Sequence, residues 1–290
     1  MKMPYIYLIL SVFMSASGNI LGKLFNTRNK ECKDSGVFYN FLQMLCVFLC
    51  WCGLYAFDFS FDIGVLFYSI LFGVCYTTCS IGVINALKHG PTALTSLFTS
   101  LSLIVTTLWG FGFWDESLTV TVVIGLLLDC IAIVLCLYSK KKEEKGFSWK
   151  WLGYSVLALV SNAGCSIVQR TQQMQFSGAH GNMLMAFATF FAAVFCLIRF
   201  LKSDKSDAVT MMKKSWWTPA LASFCNVALN ALVMLMALTE LPASLIYPVI
   251  GVGSFGVVLI FSRFFFKEKL HWRQWLGISF GAIAVVLLSI

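Results

Sequence analysis

The sequence predicts an all-α integral membrane protein of ten transmembrane helices arranged as two inverted five-helix repeats. Three observations carry this. Of 290 residues, 59% are hydrophobic and only 12% charged, against roughly 25% charged in an ordinary soluble domain, and the mean hydropathy is +0.83. Ten continuous apolar runs follow one another, each near the roughly 20 residues a helix needs to cross the hydrocarbon. Finally, the chain repeats itself. Ala86, Leu87, Pro91 and Leu94 recur as Ala237, Leu238, Pro242 and Leu245, and Glu116, Leu118, Gly125, Val134 and Leu135 recur as Glu268, Leu270, Gly277, Val286 and Leu287.

The predicted spans cover about 4–25, 35–57, 63–87, 91–113, 118–138, 150–170, 180–201, 215–239, 242–266 and 271–290. Strands of a membrane barrel would be shorter and would alternate apolar with polar residues, so a barrel is excluded. Residues 1–138 form the first repeat, 139–149 a lysine-rich linker and 150–290 the second repeat. All nine tryptophans fall near proposed span ends, where an amphipathic ring favours the headgroup region. Eleven cysteines, nearly all inside spans, read as packing residues. The three histidines lack the spacing of zinc ligands, and no cofactor or metal is expected.

Taken in order, span 1 carries Ser11, Ser15, Gly18, Asn19 and Gly22 on one helical stripe. Small residues alone would let helices pack closely, but Asn19 is more polar than packing requires. Span 2 opens with Tyr39, Asn40 and Gln43, span 3 carries Tyr76, Thr77, Ser80 and Asn85, and span 4 carries Thr95, Thr99, Ser102 and Thr106. A hydroxyl here can simply bond back to its own helix. Span 5 holds Asp129, an acidic residue deep in an apolar run, costly enough to call for a function or a buried partner.

Span 6 repeats the design of span 1. Ser161-Asn162-Ala163-Gly164 lies against Ser15-Ala16-Ser17-Gly18, Lys23 aligns with Gln169, and Ser155, Asn162, Cys165 and Gln169 share a stripe. Span 8 carries Ser223, Asn226, Asn230 and Met234, and span 9 carries Tyr247, Gly251 and Ser254. The segment 202–214 reads as a charged, solvated loop. Neither a Walker-type glycine loop nor a Ser-His-Asp or Cys-His constellation can be placed at one membrane depth, so no enzymatic activity is expected.

Of the 21 Lys and Arg residues, all but Lys2 and Arg170 fall on one side of the predicted spans. The positive-inside rule then puts the linker in the cytoplasm and both termini outside. The net charge of +8 thus reports orientation and calls for no nucleic-acid partner. Five spans per copy is an odd number, so the second copy enters the membrane from the opposite side. That is the inverted repeat of secondary transporters, with a site near the midplane between the halves.

The corner Ala86-Leu87-Lys88-His89-Gly90-Pro91, its echo Ala237-Leu238-Thr239-Glu240-Leu241-Pro242, and the Glu-x-Leu corners at 116–118 and 268–270 resemble the EamA-type branch of the drug/metabolite transporter superfamily. The resemblance covers both halves. It implies a multi-pass protein of a cell membrane, of the bacterial inner or plasma membrane type, with a central cavity lined by spans 1–4 and 6–9 and with spans 5 and 10 peripheral. Small multidrug exporters of that superfamily carry an acidic residue in their first helix, which this first span lacks.

The substrate-binding residues expected on this reading are Ser15, Asn19, Tyr76, Ser80, Thr99, Asn162, Asn226, Asn230 and Tyr247, with Met234 also facing the cavity. Such a cavity suits a small neutral or zwitterionic metabolite, amino-acid-like or nucleobase-like, moved by alternating access. An organic cation or drug held on aromatic faces is the rival substrate, and a non-transporting scaffold or lipid-binding subunit the rival function. The expected partners are the small-molecule substrate and the lipid bilayer, with the chain a monomer or homodimer.

Overall fold

The computed structural model describes residues 3–90, 92–114, 119–138, 149–237 and 243–265, with positions 272, 273, 275–277, 279, 280 and 283. Ten helices are defined there: α1 (Met3–Arg28), α2 (Ser35–Phe57), α3 (Ile63–His89), α4 (Thr92–Phe113), α5 (Val120–Tyr138), α6 (Trp149–Gln175), α7 (Gly181–Lys202), α8 (Ala208–Ser215), α9 (Trp217–Ala237) and α10 (Ala243–Phe264). Nine of the ten predicted spans therefore coincide with a helix, and most of the tenth, 271–290, lies outside the described residues. Six helices, α1, α2, α3, α6, α7 and α9, are long and apolar enough to cross a membrane. Their outer faces are apolar, with Leu49, Phe67, Val160 and Phe224 59–63% exposed, as expected where the surrounding solvent is lipid.

The charged stretch 202–214 departs from the sequence reading. It contains α8, an amphipathic helix whose Met211 and Ser215 are buried while Lys213 and Lys214 face out. Eight residues are too few to raise a hydropathy signal, yet one side chain per turn suffices to dock them. The tryptophan pattern is also mixed. Trp149, Trp216, Trp272 and Trp275 are at least half exposed, whereas Trp51, Trp114 and Trp151 are buried within the protein.

The halves interlock. The major helix pairings are α3 with α6, α1 with α9, α2 with α7, α4 with α10, α3 with α7, α2 with α9, α1 with α10 and α4 with α6. Exchanging α1, α2, α3 and α4 with α6, α7, α9 and α10 maps this set onto itself. Helix α5 packs on α4 at the periphery, and the side chain of its Asp129 lies outside the described residues.

Close approach at the α3 seams depends on glycine. A Cβ on Gly82 would stand 2.9 Å from the Tyr154 carbonyl oxygen and the Ala158 nitrogen of α6, and one on Gly73 would stand 2.7 Å from the Ala188 carbonyl oxygen of α7. Small residues let membrane helices approach this far.

Corners lock in two places. At one end of α2, the backbone N–H of Lys33 donates to Asp207 at 3.0 Å, that of Asp204 donates to Asp34 at 3.1 Å, and Lys33 lies 3.8 Å from the Asp204 carboxylate. At the other end, Asn182 donates to Asp58 at 3.1 Å, and the His180 ring nitrogen Nδ1 meets the Ser60 hydroxyl at 2.8 Å. The two clasps are repeat-related at their pivots. Asp34 and His180, each the residue before the second helix of its half, both adopt left-handed backbone, at φ 49° and 59°, a conformation uncommon outside glycine.

Candidate functional site: an uncharged cavity between the halves

A cavity of about 230 Å³ lies between the two sets of helices, lined from α1, α2, α3, α4, α6, α9 and α10. Ser15, Asn19, Tyr76, Ser80, Thr99, Asn162, Asn226 and Asn230 all reach it, so eight of the nine residues singled out in the sequence are brought together. The side chain of the ninth, Tyr247, is outside the described residues, and α10 is represented by Ile250, Gly251 and Ser254. The described lining contains no Asp, Glu, Lys, Arg or His. Helix α7 supplies no lining residue, contrary to the expectation for the seventh span, because it packs behind, against α2 and α3. Met234 also turns away. It packs with Trp51, Phe72 and Met185 behind the cavity wall.

Helical spacing explains the convergence. Asn226 and Asn230 are one turn apart, which puts both amides on the same face of α9. The Asn230 amide donates to the Asn226 backbone carbonyl at 2.9 Å and to the Asn226 side-chain oxygen at 3.1 Å. The Tyr76 hydroxyl donates to that same oxygen at 2.8 Å, and its ring stacks at 5.8 Å on Phe72. This chain joins α3 to α9.

Asn162 plays the matching part on α6. Its amide donates to the Ser102 hydroxyl at 2.7 Å and toward the Thr99 carbonyl at 3.4 Å, while its oxygen lies 3.8 Å from the Cys79 thiol. Asn19 reaches Ser96 at 3.4 Å, and Ser80 donates to Asn40 at 2.7 Å with Gln43 at 3.3 Å. Thr99 spends its hydroxyl on its own helix, at 2.8 Å from the Ser96 carbonyl. In a low-dielectric setting a polar group left without a partner is costly, and these networks, several of them between facing helices, supply most of the partners.

Two lining residues with side-chain amides escape the sequence-derived set. Gln43 lines the cavity from α2, and Gln169 lines it from α6. Gln169 is 4% exposed, and its side-chain Nε2 has no hydrogen-bond partner. Its signal was present in the sequence, since it lies seven residues beyond Asn162 on one stripe. Its repeat counterpart Lys23 serves the fold instead, donating to the Leu87 and Gly90 carbonyls at 3.3 and 3.0 Å at the end of α3, where a cation complements the helix dipole.

Comparison with known proteins bears on the fold and the family. A solved crystal structure of a protein superposes with a TM-score of 0.67 at 12% identity, covering 96% of this chain and 95% of its own, a likeness of fold. An uncharacterized protein of Sinorhizobium fredii, y4nH, is 30% identical over 61 residues, which is 21% of this chain and 52% of that protein, so the chain spans about half the length of the curated relative it matches. The family model described as the EamA-like transporter family matches residues 2–138 and again 149–290. Both halves are thereby accounted for, the resemblance read from the corners at 86–91 and 237–242 is borne out, and the chain belongs to the EamA-like transporter family.

Proposed function

We propose that the protein is a secondary transporter that moves a small neutral or zwitterionic metabolite by alternating access through the central cavity. The observation that carries this reading is a cavity lined by both halves with polar, uncharged groups at the meeting point of their helices. The helix pairings that map onto themselves on exchange of the halves support an inverted repeat of residues 1–138 and 150–290 joined by 139–149. The two corner clasps, at opposite ends of α2, suit gates that open in turn. In a transporter of this type the substrate lies between the halves near the midplane. With no acidic lining residue among those described, a carrier of organic cations has less support. Oligomeric state stands as monomer or homodimer, and orientation as both termini outside a cell membrane.

Uptake into proteoliposomes tests this reading. A Cβ on Gly18 would meet nothing within 4 Å, and the residue lines the cavity, so Gly18→Leu should fold normally while filling the path. The expected result is uptake of a neutral or zwitterionic solute by the wild type and none by Gly18→Leu. A folded wild type that takes up none of a panel of such solutes would support a scaffold instead. A reporter active only in the cytoplasm should stay silent when fused to the C-terminus, and activity there would reverse the proposed orientation.

A further inference from the structure

The orientation of the asparagine amides is fixed by groups that can only accept. Asn230 donates to a backbone carbonyl at 2.9 Å, so its bonded atom is the nitrogen, because a carbonyl carries no proton. The atom of Asn226 that lies 3.1 Å from that nitrogen must then be the oxygen, and the Tyr76 hydroxyl donates to it as well. What remains is a free donor and a free acceptor. The Asn226 nitrogen Nδ2 and the Asn230 oxygen Oδ1 make no hydrogen bond among the described residues, and both residues, half-buried, line the cavity. The donor and the acceptor belong to residues one turn apart on the same face of α9.

A further amide stands elsewhere in the wall. Gln169 is 4% exposed, lines the cavity and leaves a buried terminal atom of its amide without a partner, a state that costs free energy until a partner arrives. The stacked pair Phe72 and Tyr76 adds flat apolar surface suited to a planar ring. Charge is absent from the described lining, and the Asn162, Gln169, Asn226 and Asn230 amides sit within α6 and α9, away from the ends of those helices. An ammonium or carboxylate brought here would be desolvated without a counter-charge.

We propose that the substrate is an uncharged planar heterocycle read through a cis-amide edge, a ring N–H beside a carbonyl, as in an oxopurine or oxopyrimidine. Asn226 Nδ2 donates to the carbonyl, Asn230 Oδ1 accepts the ring N–H, and the Gln169 amide serves a further polar atom on the ring. This rests on the reading of the cavity as the transport site.

The test uses the purified full chain, with thermal-shift binding and proteoliposome uptake of labelled hypoxanthine, uracil, phenylalanine and threonine. Hypoxanthine or uracil should be bound and carried, and 1-methylhypoxanthine, whose edge N–H is replaced by a methyl, should bind at least ten-fold more weakly. Asn230→Ala removes the acceptor Oδ1 and leaves the Tyr76 bond to Asn226 in place, so it should nearly retain its melting temperature and lose 10- to 100-fold in hypoxanthine affinity. Gln169→Leu should weaken binding as well. Transport of threonine or phenylalanine without hypoxanthine or uracil would overturn this inference and leave the transport reading intact. Equal binding of hypoxanthine and its 1-methyl derivative would do the same. Failure to carry any solute of either class would sink both.

Discussion

The hydroxyl of Tyr76 in α3 meets the side-chain oxygen of Asn226 in α9 at 2.8 Å, across 150 positions of sequence. The bond ties the two halves together at the cavity wall. Tyr76→Phe removes the donor but leaves Asn226 bonded to Asn230, so the expected loss is about 0.5–1.5 kcal/mol of stability, read from reversible unfolding in detergent. Tyr76→Leu also loses the stack on Phe72 and should cost more. Equal melting of wild type and both variants would show that the contact does not hold the halves.

Asn162 and Asn230 should part company on truncation, although the sequence makes them look alike. Asn162 bridges α6 to the Ser102 and Thr99 groups of α4, so Asn162→Ala should lose roughly 1 kcal/mol of stability. Asn230 donates only within its own helix turn, so Asn230→Ala should melt nearly as the wild type while binding substrate about 1–3 kcal/mol more weakly, roughly 5- to 150-fold. Ser117→Ala, at a corner outside the described residues, serves as the neutral control. Paired melting and binding measurements decide the matter, and a destabilised Asn230→Ala with wild-type affinity would make its amide a packing group.

The seam between α3 and α6 should tolerate nothing larger than glycine at position 82. A Cβ there falls 2.9 Å from two backbone atoms, neither of which can rotate aside, and overpacking of this kind costs typically 1–3 kcal/mol. Gly82→Leu should therefore melt earlier or fail to accumulate. By contrast a Cβ on Gly53 meets nothing within 4 Å, and Gly53→Ala should be neutral or slightly stabilising in a helix.

Cys32, at the α1–α2 corner, gives a pH readout of the clasp. Partial burial first, then the nearby Asp207 and Glu31 carboxylates, hold its thiol above the ordinary cysteine range, with Lys214 pulling the other way. Only the thiolate is nucleophilic, so maleimide labelling should be slow at neutral pH and keep rising beyond the pH at which an ordinary cysteine levels off. Asp207→Asn removes one raising charge and the acceptor for the Lys33 N–H, and should speed labelling a few-fold. A rate unchanged by Asp207→Asn would place the corner apart from α8.

Much of this was legible because helix periodicity is a local property. The stripe Ser155, Asn162, Cys165, Gln169 and the pair Asn226, Asn230 follow from 3.6 residues per turn, and all but Ser155 reach the cavity. What periodicity leaves open is which neighbour a face meets. Met234 shares the stripe of Asn226 and Asn230 yet packs outward with Trp51 and Met185, since the eight residues from Asn226 carry the helix face round toward α7. Thr99 reaches the cavity but turns its hydroxyl to its own helix, a choice made by rotamer and not by position. Trp151 sits near a span end, as a membrane-interface ring would, yet its indole N–H donates to Thr95 at 3.1 Å inside the bundle. The repeat was legible too, but the pairing of each helix with the opposite half depends on contacts between residues far apart in sequence.

That pairing has a consequence for how the protein is made. Helix α1 ends at Arg28, and its most extensive partner, α9, begins only at Trp217. At a synthesis rate of roughly 5–20 residues per second, α1 waits about 10–40 s in the bilayer before its seat has left the ribosome. For the first part of that interval Asn19 lacks even Ser96, α3 lacks α6 until the second half begins, and the cavity stays open until α9 and α10 arrive. The first half is therefore an intermediate whose polar stripes lack the partners that the finished fold supplies. Slowing translation across the linker should lengthen that exposure and raise degradation of the nascent chain.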